Sequence, residues 1–275
     1  MLSLVPSPIG NLEDISFRSL GLLQTAEFVF CEDTRVCKRL LHLLSQKFNL
    51  EFKEKTFKSL HSHNEKEVIS SLDISLLKEK NVLYLSDAGM PCISDPGALL
   101  VDFCIKNSVP YQVLPGASAL LCAYAMSGFA QSQFTFFGFF EHKGKQRANM
   151  LSEAMQNDLV SIVYEAPHRL IKLLKELRDF DENRIIFLVK ELSKMHEKSY
   201  KASANELYEN LKDTQIKGEW VVVIEEVKSK GEQINAQDIN ALELSNKQKA
   251  KLLAKLTGLS TKEEYNKLNQ GENKC

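Results

Sequence analysis

The sequence predicts an α/β protein: two α/β domains in tandem, with a small helical module behind them. Three observations predict it. Short apolar runs alternate with helical spacings over the first two thirds of the chain, a second α/β set follows, and a polar stretch then precedes two short helical patterns. A chain of 275 residues suits two compact domains and an appendage better than one core.

In the first domain, residues 1–130, the runs 2–6, 28–31, 56–60, 82–86 and 111–114 read as buried strands. Between them Phe17, Leu20 and Leu23 fall at helical spacing, as do Leu40, Leu41 and Leu44, and Leu99, Leu100, Phe103 and Cys104. Strands joined through helices imply crossovers and a mainly parallel sheet with helices on its faces. Gly128 and the polar residues 131–133 mark a boundary. The second domain, residues 131–228, has strands at 134–140, 160–164, 184–189 and 220–225 and helices at 166–177 and 204–211. Residues 227–238 are polar and charged, as a linker is. The module at 241–275 has helices at 245–256 and 261–268, with Ser245 and Thr261 as caps and Gly258 ending the first.

Composition narrows the function. Hydrophobic residues make up 44% of the chain and the formal net charge is −1. A protein bound to nucleic acid through overall charge is strongly basic, so any RNA contact here comes from a local basic patch, or from shape and pockets. The six cysteines form no C-x-x-C pair, and His61 and His63 have no further ligands at metal-binding spacing, so no metal is expected. The N-terminus lacks a charged leader segment, Pro6 and Pro8 interrupt its apolar run, and no segment is long enough to span a bilayer. These features predict a soluble cytoplasmic protein with reduced thiols and no membrane partner.

Three strand-end turns carry the chemistry. Pro6-Ser7-Pro8-Ile9-Gly10-Asn11 follows the first strand, with two fixed prolines and a glycine for a tight turn. It is not a G-x-G-x-x-G fingerprint, so a dinucleotide site of that type is not supported. Residues 86–97, Ser-Asp-Ala-Gly-Met-Pro-Cys-Ile-Ser-Asp-Pro-Gly, follow the fourth strand. Asp87 there reads as a ligand contact beside Gly89 and Met90, and Asp95 as the cap of the next helix, with Pro96 in its first turn. Leu114-Pro115-Gly116-Ala117-Ser118-Ala119 follows the fifth, where small residues let a ligand approach the backbone. Open α/β sheets bind ligands at such strand ends. Further polar stretches are Cys31-Glu32-Asp33-Thr34-Arg35, where Asp33 or Thr34 caps a helix; His61 to Glu65; Tyr164 to Arg169; Lys190 to Lys194; and Lys217 to Trp220.

In this order, the motifs resemble the tetrapyrrole methylase superfamily, and within it the branch that methylates ribose hydroxyls of small-subunit ribosomal RNA. Residues 8–15, 31–35, 63–65, 86–97 and 167–169 carry the resemblance, which covers nearly the whole chain, the terminal helices included. It implies two α/β domains of the class III methyltransferase type with S-adenosylmethionine in the cleft between them, and a homodimer. It places the methyl donor against Pro8, Ile9, Asp87, Gly89, Met90, Ser118 and Ala119 from the first domain. From the second come Tyr164 or Glu165, a residue near Lys190, and Glu219. The branch commonly has Arg where Lys190 stands, and the two cations are not equivalent at a bidentate site.

The implied reaction is transfer of the sulfonium methyl to a cytidine 2′-hydroxyl of the small ribosomal subunit or its RNA. The hydroxyl is a weak acid and needs a base. Glu32, Asp33 and His63 are the candidates, with Arg35 and Asn64 orienting phosphate or ribose. RNA contacts are expected at Arg35, Lys38 and Arg39, at Lys143, Lys145 and Arg147, and at Lys247, Lys249, Lys251 and Lys255. The competing readings are a methyltransferase acting on a porphyrin precursor and a non-catalytic ribosome-assembly factor that binds RNA.

Overall fold

The computed structural model describes residues 1–227 and 235–272; Cys275 and most of the expected linker lie outside the described residues. The chain divides into two compact units, 1–227 and 228–275.

The first unit holds two five-stranded sheets. Sheet one has strands β1 (Leu2–Val5), β2 (Phe28–Cys31), β3 (Thr56–Ser59), β4 (Val82–Leu85) and β5 (Tyr111–Val113), in the order β3-β2-β4-β1-β5. All its pairings are parallel, as expected for apolar strands joined by helical crossovers. The helices are α1 (Phe17–Thr25), α2 (Thr34–Phe48), α3 (Glu65–Ser70), α4 (Ile74–Glu79), α5 (Ala98–Lys106) and α6 (Ala119–Ser127). A core lies on each face of the sheet. Leu20, Leu23, Leu41 and Leu44 pack on one face, and Leu77, Leu100 and Cys104 on the other.

Sheet two is mixed. Strands β6 (Phe134–Phe139), β7 (Val160–Glu165), β8 (Ile185–Lys190), β9 (Lys198–Ser203) and β10 (Trp220–Ile224) run in the order β6-β7-β10-β8-β9. Only β6 and β7 are parallel; the other pairings are antiparallel. Helices α7 (Gly144–Gln156), α8 (Pro167–Phe180) and α9 (Ala204–Leu211) follow β6, β7 and β9. Helix α6 precedes the expected domain boundary at residue 130, yet its Leu120 and Ala123 pack against β7, β8 and β10.

The second unit contains α10 (Ala236–Ala241), α11 (Asn246–Thr257) and α12 (Thr261–Glu272). Ser245 caps α11 in a box with Gln248, and Gly258 ends that helix at φ 74°. Thr261 is not the next cap: Ser260 accepts from the Glu263 amide while Glu263 accepts from the Ser260 amide. The expected linker is also shorter than read, since α10 begins at Ala236 with Asn235 as its cap. Among the described residues no helix is long and apolar enough to cross a membrane.

Candidate functional site

Three turns at the carboxyl ends of sheet one are fastened to each other. Ser7 and Gly89 exchange backbone hydrogen bonds of 3.1 and 3.0 Å, the Ser7 hydroxyl donates to the Ser86 carbonyl at 2.6 Å, and the Ser86 hydroxyl donates to the Gly89 carbonyl. The third turn joins through Gly116: a Cβ there would stand 2.5 Å from Pro6 Cβ. The glycines therefore set how closely the turns approach.

Sheet two meets this edge from across a cavity of about 330 Å³. Ile9, Gly89, Met90, Ser118, Ala119, Tyr164, Glu165 and Glu219, all named from the sequence, line it. Ile93, Ser94, Asp95, Phe139, Val189, Leu192, Trp220 and Val221 line it as well. Pro8, Asp87 and Lys190 stand outside the lining. Asp87 accepts from the Asp33 amide at 3.4 Å and its own amide donates to Glu32 Oε1 at 3.2 Å, which braces the β2 and β4 turns. Lys190 Nζ lies over the Trp220 ring, 5.9 Å from its centre.

The two lobes also join beside the cavity. The Ser193 hydroxyl donates to Asp14 at 2.5 Å and accepts from the Asn11 amide at 3.2 Å. A Cβ on Gly10 would meet Lys194 Cγ at 2.6 Å and the Ser193 carbonyl carbon at 2.8 Å, so this turn admits no side chain. Lys194 in turn bridges Glu191 and Glu219 at 3.1 and 2.8 Å.

Asp95 corrects the expectation of a helix cap. Gly97 occupies the cap position at φ 119°, and the first-turn amides of α5, Gly97 and Leu99, donate instead to Glu65 Oε1 at 2.8 and 3.2 Å. Freed from capping, Asp95 faces the cavity. Burial, then the Glu32 and Asp87 carboxylates, push its carboxyl up to about 7. Burial foremost also raises Glu32 and Asp87 above the usual carboxylate range. Tyr84, fully buried among Glu32, Glu65, Cys92 and Asp95, keeps a hydroxyl with no hydrogen-bond partner among the described residues.

On the far wall Glu165 is buried. Its Oε1 accepts from the Ala166 amide at 3.0 Å and pairs ionically with Arg169 Nε at 3.0 Å, while Oε2 has no hydrogen-bond partner among the described residues and lies 3.7 Å from Arg147. Burial raises its carboxyl, against the pull of both arginines.

A family model described as Tetrapyrrole (Corrin/Porphyrin) Methylases matches residues 1–208. The chain belongs to this family. A protein from Campylobacter fetus named Ribosomal RNA small subunit methyltransferase I is 46% identical over 269 residues, covering 98% of this chain and 99% of that one. A protein of the same name from Helicobacter pylori is 38% identical, with 96% of each chain covered. Among solved structures, diphthine synthase matches with a TM-score of 0.60 at 16% identity, over 81% of this chain and 88% of that one. Uroporphyrin-III C-methyl transferase from Thermus thermophilus, complexed with S-adenyl homocysteine, matches at 0.56 and 20% identity, over 81% and 96%. These last two likenesses are of fold.

Within this tetrapyrrole methylase, the residues expected to handle the acceptor stand outside the cavity lining. Asp33 caps α2 and pairs with Arg35 at 2.6 Å, which holds its carboxyl down at about 2, and the Arg35 side chain is 89% exposed. Asn64 braces its own turn, accepting from the His61 amide and donating to the Ser59 carbonyl, and His63 is exposed. Arg147, expected at an RNA patch, is instead 3% exposed and held by Glu176 at 2.6 Å; it follows the aromatic end of β6 and anchors α7 to α8. The sequence reading missed Asp95 and Phe139. A second Ser-Asp-x-Gly turn, eight positions after the first, was a usable signal for Asp95.

Proposed function

We propose that the protein transfers a methyl group from S-adenosylmethionine to the 2′-hydroxyl of a cytidine in small-subunit ribosomal RNA. The observation that carries the reading is the 46% identity, end to end, with a relative named for that RNA, in a chain whose strand-end turns close on one cavity.

The lining fits such a donor in three respects. Gly89 and the small residues Ser118 and Ala119 leave backbone open to close approach. Ile9, Met90, Val189, Leu192 and Val221 offer apolar walls for a flat ring. Asp95, Glu165 and Glu219 offer carboxylates for ribose hydroxyls, an amine and a sulfonium, and one buried oxygen of Glu165 has no hydrogen-bond partner among the described residues.

When bound, the donor supplies an electrophilic methyl group carried on positive sulfur. The apolar walls exclude water, and the turns, tied together by Ser7, Ser86 and Gly89, hold their positions without reorganising. Asp95, raised to about 7, changes charge near neutral pH, so its ionised form favours a cationic ligand above that pH. Among the sequence candidates, Glu32 and Asp87 keep the turns in register, and Arg35 with Lys38 and Arg39 presents charge for phosphates. A homodimer in the cytoplasm belongs to the same reading. Helix α6 is apolar on every side and leaves Leu121 and Met126 exposed, a surface suited to a second copy.

The test uses small subunits from cells lacking the protein, incubated with it and S-adenosylmethionine. Nucleoside mass spectrometry should find 2′-O-methylcytidine at one site. A protein that binds the donor in a calorimeter yet puts no methyl into ribosomal RNA, or puts it into a tetrapyrrole, refutes the reading.

A further inference from the structure

We propose that Phe139 is the platform on which the base of the acceptor nucleotide stacks, with Lys143 and Lys145 beside it in the chain taking the flanking phosphates. The inference rests on the RNA-methylation reading above and adds the residues that would hold the acceptor.

Phe139 both lines the cavity and is 54% exposed, so it forms part of the rim. Its position is built. Residues Phe136 and Phe139 of β6 pair with Ile162 and Tyr164 of β7, so β6 carries one extra residue, and Gly138 stands at φ 64° within it. Such a bulge re-aims the next side chain. Here it sets Phe139 against Tyr164, ring centres 5.6 Å apart at 62°, an edge-to-face contact that leaves the Phe139 ring partly open.

The segment beyond is fixed as well. The Phe140 carbonyl accepts from Arg169, the Glu141 carbonyl from Arg147 at 2.9 Å, and the His142 carbonyl from Lys172 at 3.3 Å. A rigid, exposed aromatic ring at the rim of a cavity has the character of a stacking surface. Bases of any sequence stack on such rings, and that contact is worth enough to select a single-stranded nucleotide. Lys143 and Lys145 are exposed at the start of α7, whose first turn has no side-chain cap. They add positive charge where the chain leaves the rim, and the unsatisfied amides of a helix start favour phosphate. Arg147 is excluded from this set, because Glu176 and the Glu141 carbonyl already occupy it.

The test compares Phe139→Leu, Phe139→Ala and Phe139→Tyr with the native protein. Donor affinity is measured by calorimetry and kcat/KM with small subunits. The Leu and Ala variants should lose about tenfold or more in kcat/KM, mainly through KM, and bind the donor within about twofold of native. The Tyr variant should keep most activity. A short cytidine-containing RNA with 2-aminopurine beside the target reads stacking without turnover: native and Tyr proteins quench it, and the Leu variant does not. Replacing Lys143 and Lys145 by Ala should lower the slope of log affinity against log salt by about 1 to 2. A Leu variant equal to native in kcat/KM and quenching overturns the proposal. So does a matching loss of donor affinity, which would assign the ring to the donor and not to the acceptor base. Native protein that quenches the oligonucleotide but methylates no ribosomal RNA would leave the stacking platform standing and remove the proposed reaction.

Discussion

Replacing Asp95 by Asn should make the donor-free protein more stable and a poorer binder of the donor. Burial and the neighbouring Glu32 and Asp87 carboxylates raise this carboxyl from 3.8 to about 7, whereas in the unfolded chain it ionises near its ordinary value. Below about pH 4 both states hold the proton and nothing is lost. Between about 4 and 7 the folded state binds more protons than the unfolded, so stability falls as pH rises, and the whole penalty is in place above 7. The interval corresponds to roughly 4 kcal/mol if fully expressed. Asp95 keeps part of its surface in water, and screening there reduces the figure to about 1–2 kcal/mol. Asparagine removes the penalty, so the melting temperature should rise by roughly 2–8 °C at pH 8 and by about a third of that at pH 5. Differential scanning fluorimetry across pH 4 to 9 measures it, and calorimetry at pH 8 should show donor affinity down about tenfold or more. A gain equal at both pH values, or a loss at pH 8, would refute the reasoning.

Arg147→Ala should destabilise by about 3–5 kcal/mol, because it strips the buried Glu165 and the half-buried Glu176 of a shared partner; a denaturant midpoint close to native would contradict this. Gly10→Ala should cost about 1–3 kcal/mol, since its Cβ would stand 2.8 Å from the Ser193 backbone, and should weaken donor binding by parting the lobes. Calorimetry indistinguishable from native would show that the turn yields. Tyr84→Phe should be neutral or stabilise slightly, as the hydroxyl has no hydrogen-bond partner among the described residues. A loss above about 1 kcal/mol in thermal unfolding would reveal a bond that its surroundings conceal.

The parallel sheet was legible because strands buried on both faces are written as plain apolar runs, as in Phe28–Cys31 and Val82–Leu85. The edge strand β9, Lys-Ser-Tyr-Lys-Ala-Ser, escaped notice because it covers little core and reads as polar loop. Helix α7 escaped for a similar reason: only Arg147, Ala154 and Met155 of its thirteen residues are buried. At the site, residues in turns that follow strands were readable from proline and glycine placement. Asp95 was misread despite the repeated Ser-Asp-x-Gly, because Asp-Pro-Gly ahead of a helix has the form of a cap. The side chain that caps α5, Glu65, comes from 32 residues upstream, a distance no local pattern reports. Phe139 depends on a bulge, and an extra residue in one strand shows only against its neighbour.

The grip of Arg147, Arg169 and Lys172 on three successive peptide oxygens bears on how this stretch can change in evolution. Connections on a protein's exterior ordinarily absorb added or deleted residues with little harm. Here every oxygen has an assigned cation, so one inserted residue would shift all three assignments together. Descendants of this chain should vary the exposed side chains of 141 and 142 freely, keep an apolar residue at the buried position 140, and hold the spacing from Gly138 to Arg147 constant.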